Sequence, residues 1–304
     1  MTGTILSAFL PIFAVIAAGY GVRASGYLPR EFWRGVNALN HRLLLPAFLF
    51  MVLATADLCH PEAGRLAMLS AAGSLALLAL AGLICAGARL AAGPGAAVSA
   101  VAVQWNFVLT LALVTRLAGP EAAPLAAAVI APGVLIGAAA TVAGFALARG
   151  AGLAPAAGRM ARDPLVLAGL AGLAANAAGL ARFEAILAPV ELIGAGALPV
   201  ILLAMGAGLD FSALKGRIAV LFAGAALRCV AGPAVFLGLA LAFSVSGTGA
   251  LVLAVAGAAS AAAFVYAVAA DFETETGLTA GMITLTVLVS VAVSPLTAAL
   301  ALAL

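Results

Sequence analysis

The chain has 304 residues, of which 66% are hydrophobic and only 8% are charged, and its mean hydropathy is +1.26. Soluble domains carry about 25% charged residues, so this composition excludes a soluble fold and indicates a polytopic membrane protein. The formal net charge is only +3 and the basic residues are scattered, which argues against nucleic acid as a partner.

About 20 apolar residues are needed to cross a bilayer. On that basis the sequence predicts an all-α protein with ten spans. They are Ile5–Val22, Val36–Ala54, Leu66–Ala86, Ala97–Leu117, Ala122–Leu147, Pro164–Leu180, Glu191–Gly208, Ile218–Phe243, Gly249–Ala270 and Leu278–Leu304. The predicted organisation is a first five-helix repeat over residues 1–147, a cytoplasmic connector over 148–163 and a second repeat over 164–304. The stretch Arg182–Val190 mixes charged and apolar residues and predicts a short interfacial segment rather than a crossing.

The basic residues predict the orientation of these spans. Nine of them lie in loops that follow odd-numbered spans and three lie in loops or ends that follow even-numbered spans. The excess of positive charge marks the cytoplasmic side, so both termini are expected outside the cell inner membrane.

Each half has an odd number of spans, so the second half is expected to insert upside down relative to the first. Pro46 in the second span and Pro199 in the seventh lie in similar apolar surroundings, and Pro132 and Pro295 form a looser pair. Matching kinks favour one fold unit used twice, as in secondary transporters with inverted repeats. The alternative, that membrane helices simply tolerate proline, remains open.

Several polar side chains lie inside the predicted spans. Gln104 and Asn106 fall near the middle of the fourth span, where their amides need protein, ligand or cavity partners. They either hold this helix to a neighbour or line a substrate path. Asn40 near the start of the second span is a candidate for a polar cavity wall.

Arg228 lies well inside the eighth span, while no acidic residue lies deep in any span. A buried cation without an acid indicates a nearby anion, a water-filled crevice or bonds to backbone carbonyls. The ninth span is built of small residues around Ser260, with Tyr266 further along. Small residues allow close helix packing and also leave room where two helices cross.

The cysteines (Cys59, Cys85 and Cys229) and the two histidines match no metal-ligand spacing, and no constellation of catalytic residues is found. The sequence therefore predicts neither an enzyme nor a bound cofactor, and it leaves coupling to protons or sodium open.

The motifs together resemble the auxin efflux carrier family, in its bacterial, malate/malonate-permease-like branch. The resemblance is carried by LPIFAVIAAGYGVRASGYLP in the first span, LNHRLLLPAFLF in the second, PVILLAMGAGL in the seventh, ALRCVAGPAVFLGLAL in the eighth and YAVAADFETETGLTAGMITLTVLVSVAVSPL in the ninth and tenth. It implies two inverted five-helix repeats, spans four and nine that break and cross at the site, and an elevator-like transport cycle. It also implies auxins or small carboxylates as substrates.

One departure from the family pattern concerns the crossing. Where the family usually has a proline in each crossing helix, this chain has Leu111–Leu113 and Ala261–Ala263. Without those prolines, the half-helix N-termini are expected to be less available to a carboxylate.

The leading hypothesis is a carrier for a small organic anion, with the lipid bilayer as its surroundings and a homodimer left open. Its candidate substrate-binding residues are Asn106, Gln104, Ser260, Arg228, Tyr266 and Asn40. The alternatives are a membrane sensor or binding subunit that has lost transport, and a bile-acid sodium symporter-like carrier.

Overall fold

The computed structural model describes residues 2–304, which are 82% helical and contain no β-strand. Their sixteen α-helices, in chain order, are α1 (Thr2–Ala24), α2 (Arg30–Leu39), α3 (Leu45–Ala54), α4 (Ala63–Gly87), α5 (Ala92–Val103), α6 (Phe107–Ala118), α7 (Ala123–Ala148), α8 (Leu153–Met160), α9 (Pro164–Ala177), α10 (Glu184–Ala195), α11 (Ala197–Ala207), α12 (Ile218–Ala226), α13 (Gly232–Ala242), α14 (Gly247–Ala258), α15 (Phe264–Asp271) and α16 (Thr276–Ala301). Two π-helical segments, Asn40–Leu44 and Leu227–Ala231, join α2 to α3 and α12 to α13. Three short 3-10 segments are Pro120–Ala122, Leu180–Arg182 and Ser212–Lys215.

Seven helical segments of the described chain are long and apolar enough to cross a membrane. They are Ser7–Ala24, Glu31–Ala54, Ala63–Gly87, Pro120–Ala148, Glu184–Ala207, Ile218–Ala242 and Thr276–Ala301. The other three predicted spans correspond to shorter apolar helices: α5 with α6, α9 alone, and α14 with α15. The chain is therefore a multi-pass membrane protein, and the number of ten crossings stays a prediction.

The prediction that Arg182–Val190 is a short interfacial segment, separate from any crossing, is wrong. Helix α10 begins at Glu184 and leads into α11, so that Glu184–Ala207 forms one long apolar segment. The acidic side chains of Glu184 and Glu191 are both exposed, and Pro189 is accommodated inside α10. The mixed composition therefore marks one exposed face of a long helix.

The helices form two groups by their packing. In the first, which we call the flanking group, α1 packs along α11, and α3 packs along α9 and α10. In the second, the crossing group, α7 packs on α4, α5 and α6, while α14 packs on α6, α13 and α16. Helix α15 also belongs to this group and packs on α7 and α16. Contacts between the two groups are sparser and run from α1 to α6 and α16, and from α3 and α9 to α7.

Within the flanking group, the end of one helix is held by a side chain from its neighbour. Arg23, in the last turn of α1, donates from Nη1 to the carbonyl of Ala207 at 2.6 Å and to that of Leu209 at 2.9 Å. These carbonyls lie at the C-terminal end of α11 and have no partner within the helix. The side chain of Arg23 thus fastens α1 to the end of α11.

The same arrangement occurs between α9 and α3. Asn176 donates from Nδ2 to the carbonyl of Ala54 at 3.1 Å and to that of Ala56 at 2.6 Å, and also to that of Leu53. Residue numbers 176 and 23, 207 and 54, and 209 and 56 all differ by 153. Two helix pairs, far apart in sequence, therefore use the same contact in the same register.

Candidate functional site

Two broken helices meet at the centre of the crossing group. Between α5 and α6, and between α14 and α15, the chain leaves the helical conformation. The Asn106 N–H donates to the Ser260 carbonyl at 2.9 Å, and the Ala262 N–H donates to the Gln104 carbonyl at 2.8 Å. These bonds form an isolated antiparallel bridge between Trp105 and Ala261. Each break thus supplies the backbone partners that the other break lacks.

The breaks form although no proline lies at either of them. The stretch Leu111–Leu113, where a break was expected by analogy, lies inside α6 and is buried. The extended backbone lies earlier, at Asn106 with φ −80° and ψ 91°. A half-helix N-terminus is therefore present in α6 without a proline, because Asn106 begins a new helix there.

Asn106 is the N-cap of α6 and is only 3% exposed. Its Oδ1 accepts a hydrogen bond from the Leu109 N–H at 3.1 Å, which satisfies one of the free amides of the first turn. Its Nδ2 lies 3.3 Å from the sulfur of Met205, on α11 of the flanking group. A thioether is a weak acceptor. The amide donor of Asn106 is therefore held at the boundary between the groups with capacity for a stronger partner.

The long segment Glu31–Ala54, which includes α3, passes the first residues of both α6 and α15. The ring of Phe48 in α3 lies 6.3 Å from that of Phe107, which begins α6. The ring of His41 lies 5.9 Å from that of Phe264, which begins α15. The preceding residue, Asn40, is buried, and its Oδ1 has no hydrogen-bond partner. These contacts place the flanking group against both half-helix N-termini.

The remaining amide and hydroxyl candidates differ in position. Gln104 is buried with its Oε1 unpartnered, and a Cβ added at Gly137 of α7 would collide with that oxygen. Ser260 is fully buried and its Oγ is also unpartnered. Tyr266 has a 46% exposed side chain on α15. Gln104, Asn106 and Ser260 are thus brought together by the crossing, while Tyr266 lies on the surface.

Arg228 is fully buried on the π-helical segment between α12 and α13. Its Nη1 donates to the Ala102 carbonyl at 2.8 Å, and its Nη2 donates to the carbonyls of Ala256, at 3.0 Å, and Gly257. Of the environments that the sequence left open, backbone carbonyls are the one observed. The guanidinium joins the C-terminal ends of α5 and α14.

Two hydroxyls of α16 also hold the crossing, in a way that the sequence did not indicate. Ser294 Oγ donates to the Ala258 carbonyl at 3.0 Å. Thr286 Oγ1 accepts from the Ala261 N–H at 3.2 Å and donates to a carbonyl of its own helix. Met205 and the contact between Phe48 and Phe107 were likewise missed, because apolar residues in apolar helices carry no distinguishing pattern.

Comparison with known families gives one match, to the model described as Membrane transport protein, over residues 156–298. Comparison with curated proteins gives no match. The matched residues run from α8 to α16 and include Arg228, the break between α14 and α15 and the two hydroxyls of α16. This is a family of transporters, not of enzymes. Residues 156–298 are therefore similar to the membrane transport family that includes the auxin efflux carriers, and this similarity indicates a membrane transporter.

Proposed function

We propose that this protein is a secondary transporter that moves a small organic carboxylate by an elevator-like alternating-access cycle. The observation that carries the proposal is the position of Asn106. Its buried amide donor begins a half-helix and meets only a thioether from the flanking group. A carboxylate there would accept from the amide and from the first N–H groups of α6.

The charge around the crossing favours an anion. The N-termini of α6 and α15 each carry about half a positive charge from the aligned peptide dipoles. Helices α5, α6 and α14 contain no acidic residue, and the single one in α15, Asp271, is its last. Asn106, Ser260 and Asn40 would supply polar contacts in this region, and Gln104 would support the break from the side of α7.

An inverted repeat accounts for the internal matches of the flanking group. The pairs Arg23 and Asn176, and Pro46 and Pro199, share the offset of 153 residues. In the crossing group, α5 and α14 each have 12 residues and both precede a break. We infer ten crossings, with α5–α6 as the fourth and α14–α15 as the ninth, and an odd number of crossings per half inverts the second half.

The division into two groups supports an elevator-like cycle. The binding residues of the crossing group face the flanking group through the contacts Asn106 to Met205, Phe107 to Phe48 and Phe264 to His41. Movement of one group past the other would exchange these partners and expose the site alternately to each side. The flanking group would be the stationary scaffold, in the cell inner membrane, with both termini outside.

The proposal is tested with purified full-length protein in proteoliposomes, measuring uptake of a panel of labelled carboxylates that includes malonate and malate. We expect saturable uptake of at least one of them, absent from protein-free liposomes and strongly reduced by Asn106→Ala. Asn37→Ala is the matched control, because Asn37 is an exposed asparagine near the start of the second span. Saturable binding without uptake would instead support a transport-inactive sensor.

A further inference from the structure

A single buried cation joins the C-terminal ends of both half-helices at the crossing. Ala102 is the next-to-last residue of α5, and Ala256 and Gly257 lie in the last turn of α14. All three of their carbonyls accept from the guanidinium of Arg228. Carbonyls at these positions carry the negative end of the helix dipole.

The position is built to hold the guanidinium. A Cβ added at Gly232, one turn along from Arg228, would lie 2.8 Å from Nη2, so only glycine leaves this space free. Side-chain ion pairs in residues 2–304 involve other groups and not Arg228. The two helix ends, at about half a negative charge each, are therefore its only close counter-charges among the described residues.

This pairing changes the net charge at the crossing. Four helix ends meet there, two positive and two negative, and by themselves they would cancel. The positive charge of Arg228 neutralises the two negative ends and leaves the N-termini of α6 and α15 without a counter-charge. The region that includes Asn106 thus carries a net charge of about +1.

We propose that Arg228 is a positioning residue that makes the crossing selective for anions by neutralising the C-termini of α5 and α14, without contact with the substrate. The inference rests on the proposed function and specifies the origin of its charge selectivity. It also assigns Arg228 a different task from direct substrate binding, because both terminal nitrogens of its guanidinium already donate to three carbonyls, and Nε, which has no hydrogen-bond partner, is itself buried.

The test compares probes of similar size that differ in charge. Malonate, malonamate and malonamide carry charges of about −2, −1 and 0 at neutral pH. Their inhibition constants against uptake of the labelled carboxylate are measured for the wild type and for Arg228→Gln. If the role of Arg228 is electrostatic, Arg228→Gln should raise the inhibition constant by about tenfold per unit of probe charge. The constant should therefore rise by about a hundredfold for malonate and about tenfold for malonamate, and change little for malonamide.

Ser294→Ala is the matched control. It removes a neutral hydrogen bond from the same end of α14, since Ser294 donates to Ala258. We expect it to change all three inhibition constants by the same factor. Arg228→Lys, which keeps the charge, should leave the ratio of the malonate and malonamide constants unchanged, and this variant decides the question if Arg228→Gln does not yield folded protein.

The possible results separate this inference from the proposed function. If the wild type takes up a carboxylate but Arg228→Gln raises all three inhibition constants by the same factor, the inference alone is overturned. A changed ratio of the malonate and malonamide constants in Arg228→Lys would also overturn it. No carboxylate uptake by the wild type would overturn the proposed function and this inference with it.

Discussion

Replacements of Asn106 separate its two tasks. Its Oδ1 caps α6 through Leu109, and its Nδ2 is the proposed donor to the substrate. Asn106→Ala leaves the fully buried Leu109 N–H without an acceptor, at a cost of about 1–3 kcal/mol. Asn106→Asp keeps the cap, because aspartate is an equally good N-cap, but it replaces the donor with a negative charge.

The expected effect of Asn106→Asp on transport is large. At about 4 Å and an effective dielectric constant of about 20, repulsion between two unit charges is about 4 kcal/mol, which corresponds to roughly a thousandfold loss of affinity. Asn106→Ser keeps a capping hydroxyl and loses only a neutral donor, so about 1 kcal/mol of binding is expected to be lost.

The assay pairs thermal unfolding of the purified variants with carboxylate uptake in proteoliposomes. We expect the melting temperature to fall only for Asn106→Ala, while uptake falls most steeply for Asn106→Asp. Near wild-type uptake by a folded Asn106→Asp protein would refute the placement of the anion beside this side chain. A stable Asn106→Ala protein would refute the capping role.

Three further predictions concern packing and ionisation. Asn176→Leu should lower the melting temperature, because it leaves buried carbonyls at the end of α3 without their donor, and an unchanged melting curve would contradict this. Gly19→Ala should destabilise the protein, because its Cβ would collide with a backbone carbonyl of α11, whereas Gly21→Ala, with open space at its Cβ, should be neutral or slightly stabilising in the same thermal assay. The hydrogen bond from the Ser212 hydroxyl lowers the pKa of Asp210, so the charged form adds stability above the unfolded-state pKa, and that stability is lost as the pH falls through the folded-state pKa. Ser212→Ala should raise this pKa towards its unfolded-state value, so between about pH 6 and about pH 3 the melting temperature of the variant should fall by less than that of the wild type.

The membrane class, the similarity to a transporter family and the polar residues of the fourth predicted span could be predicted from the sequence. Composition, short motifs and side-chain amides within an apolar stretch can all be read without knowing which helices pack together. The shared position of Pro46 and Pro199 was also visible. The matching contacts of Arg23 and Asn176 were not, since an arginine and an asparagine have no sequence similarity, although each donates to carbonyls at a helix end. Their equivalence depends on which helices pack together, and only the fold supplies that.

The breaks were implied by the family resemblance, but the residues at the breaks gave no sign of them, for a related reason. A proline breaks a helix through its own covalent structure, so its effect can be read from one position. In this chain the broken conformation at Gln104–Asn106 is stabilised by two groups distant in sequence, the carbonyl of Ser260 and the guanidinium of Arg228, and by the cap that Asn106 itself provides. Such a break depends on tertiary contacts, so a sequence pattern at the break itself does not reveal it.

This dependence links the stability of the site to its chemistry. The amide that begins α6 is the proposed ligand for a carboxylate, and the cation that holds the ends of α5 and α14 is the proposed source of positive potential. A proline at the break would supply the kink but neither a donor nor a charge. Asn106 and Arg228 stabilise the break through hydrogen bonds, and they also place an amide donor and a positive charge at the crossing. The absence of proline at these two breaks is therefore compatible with an anion site, because the groups that stabilise the breaks also supply a donor and a positive charge.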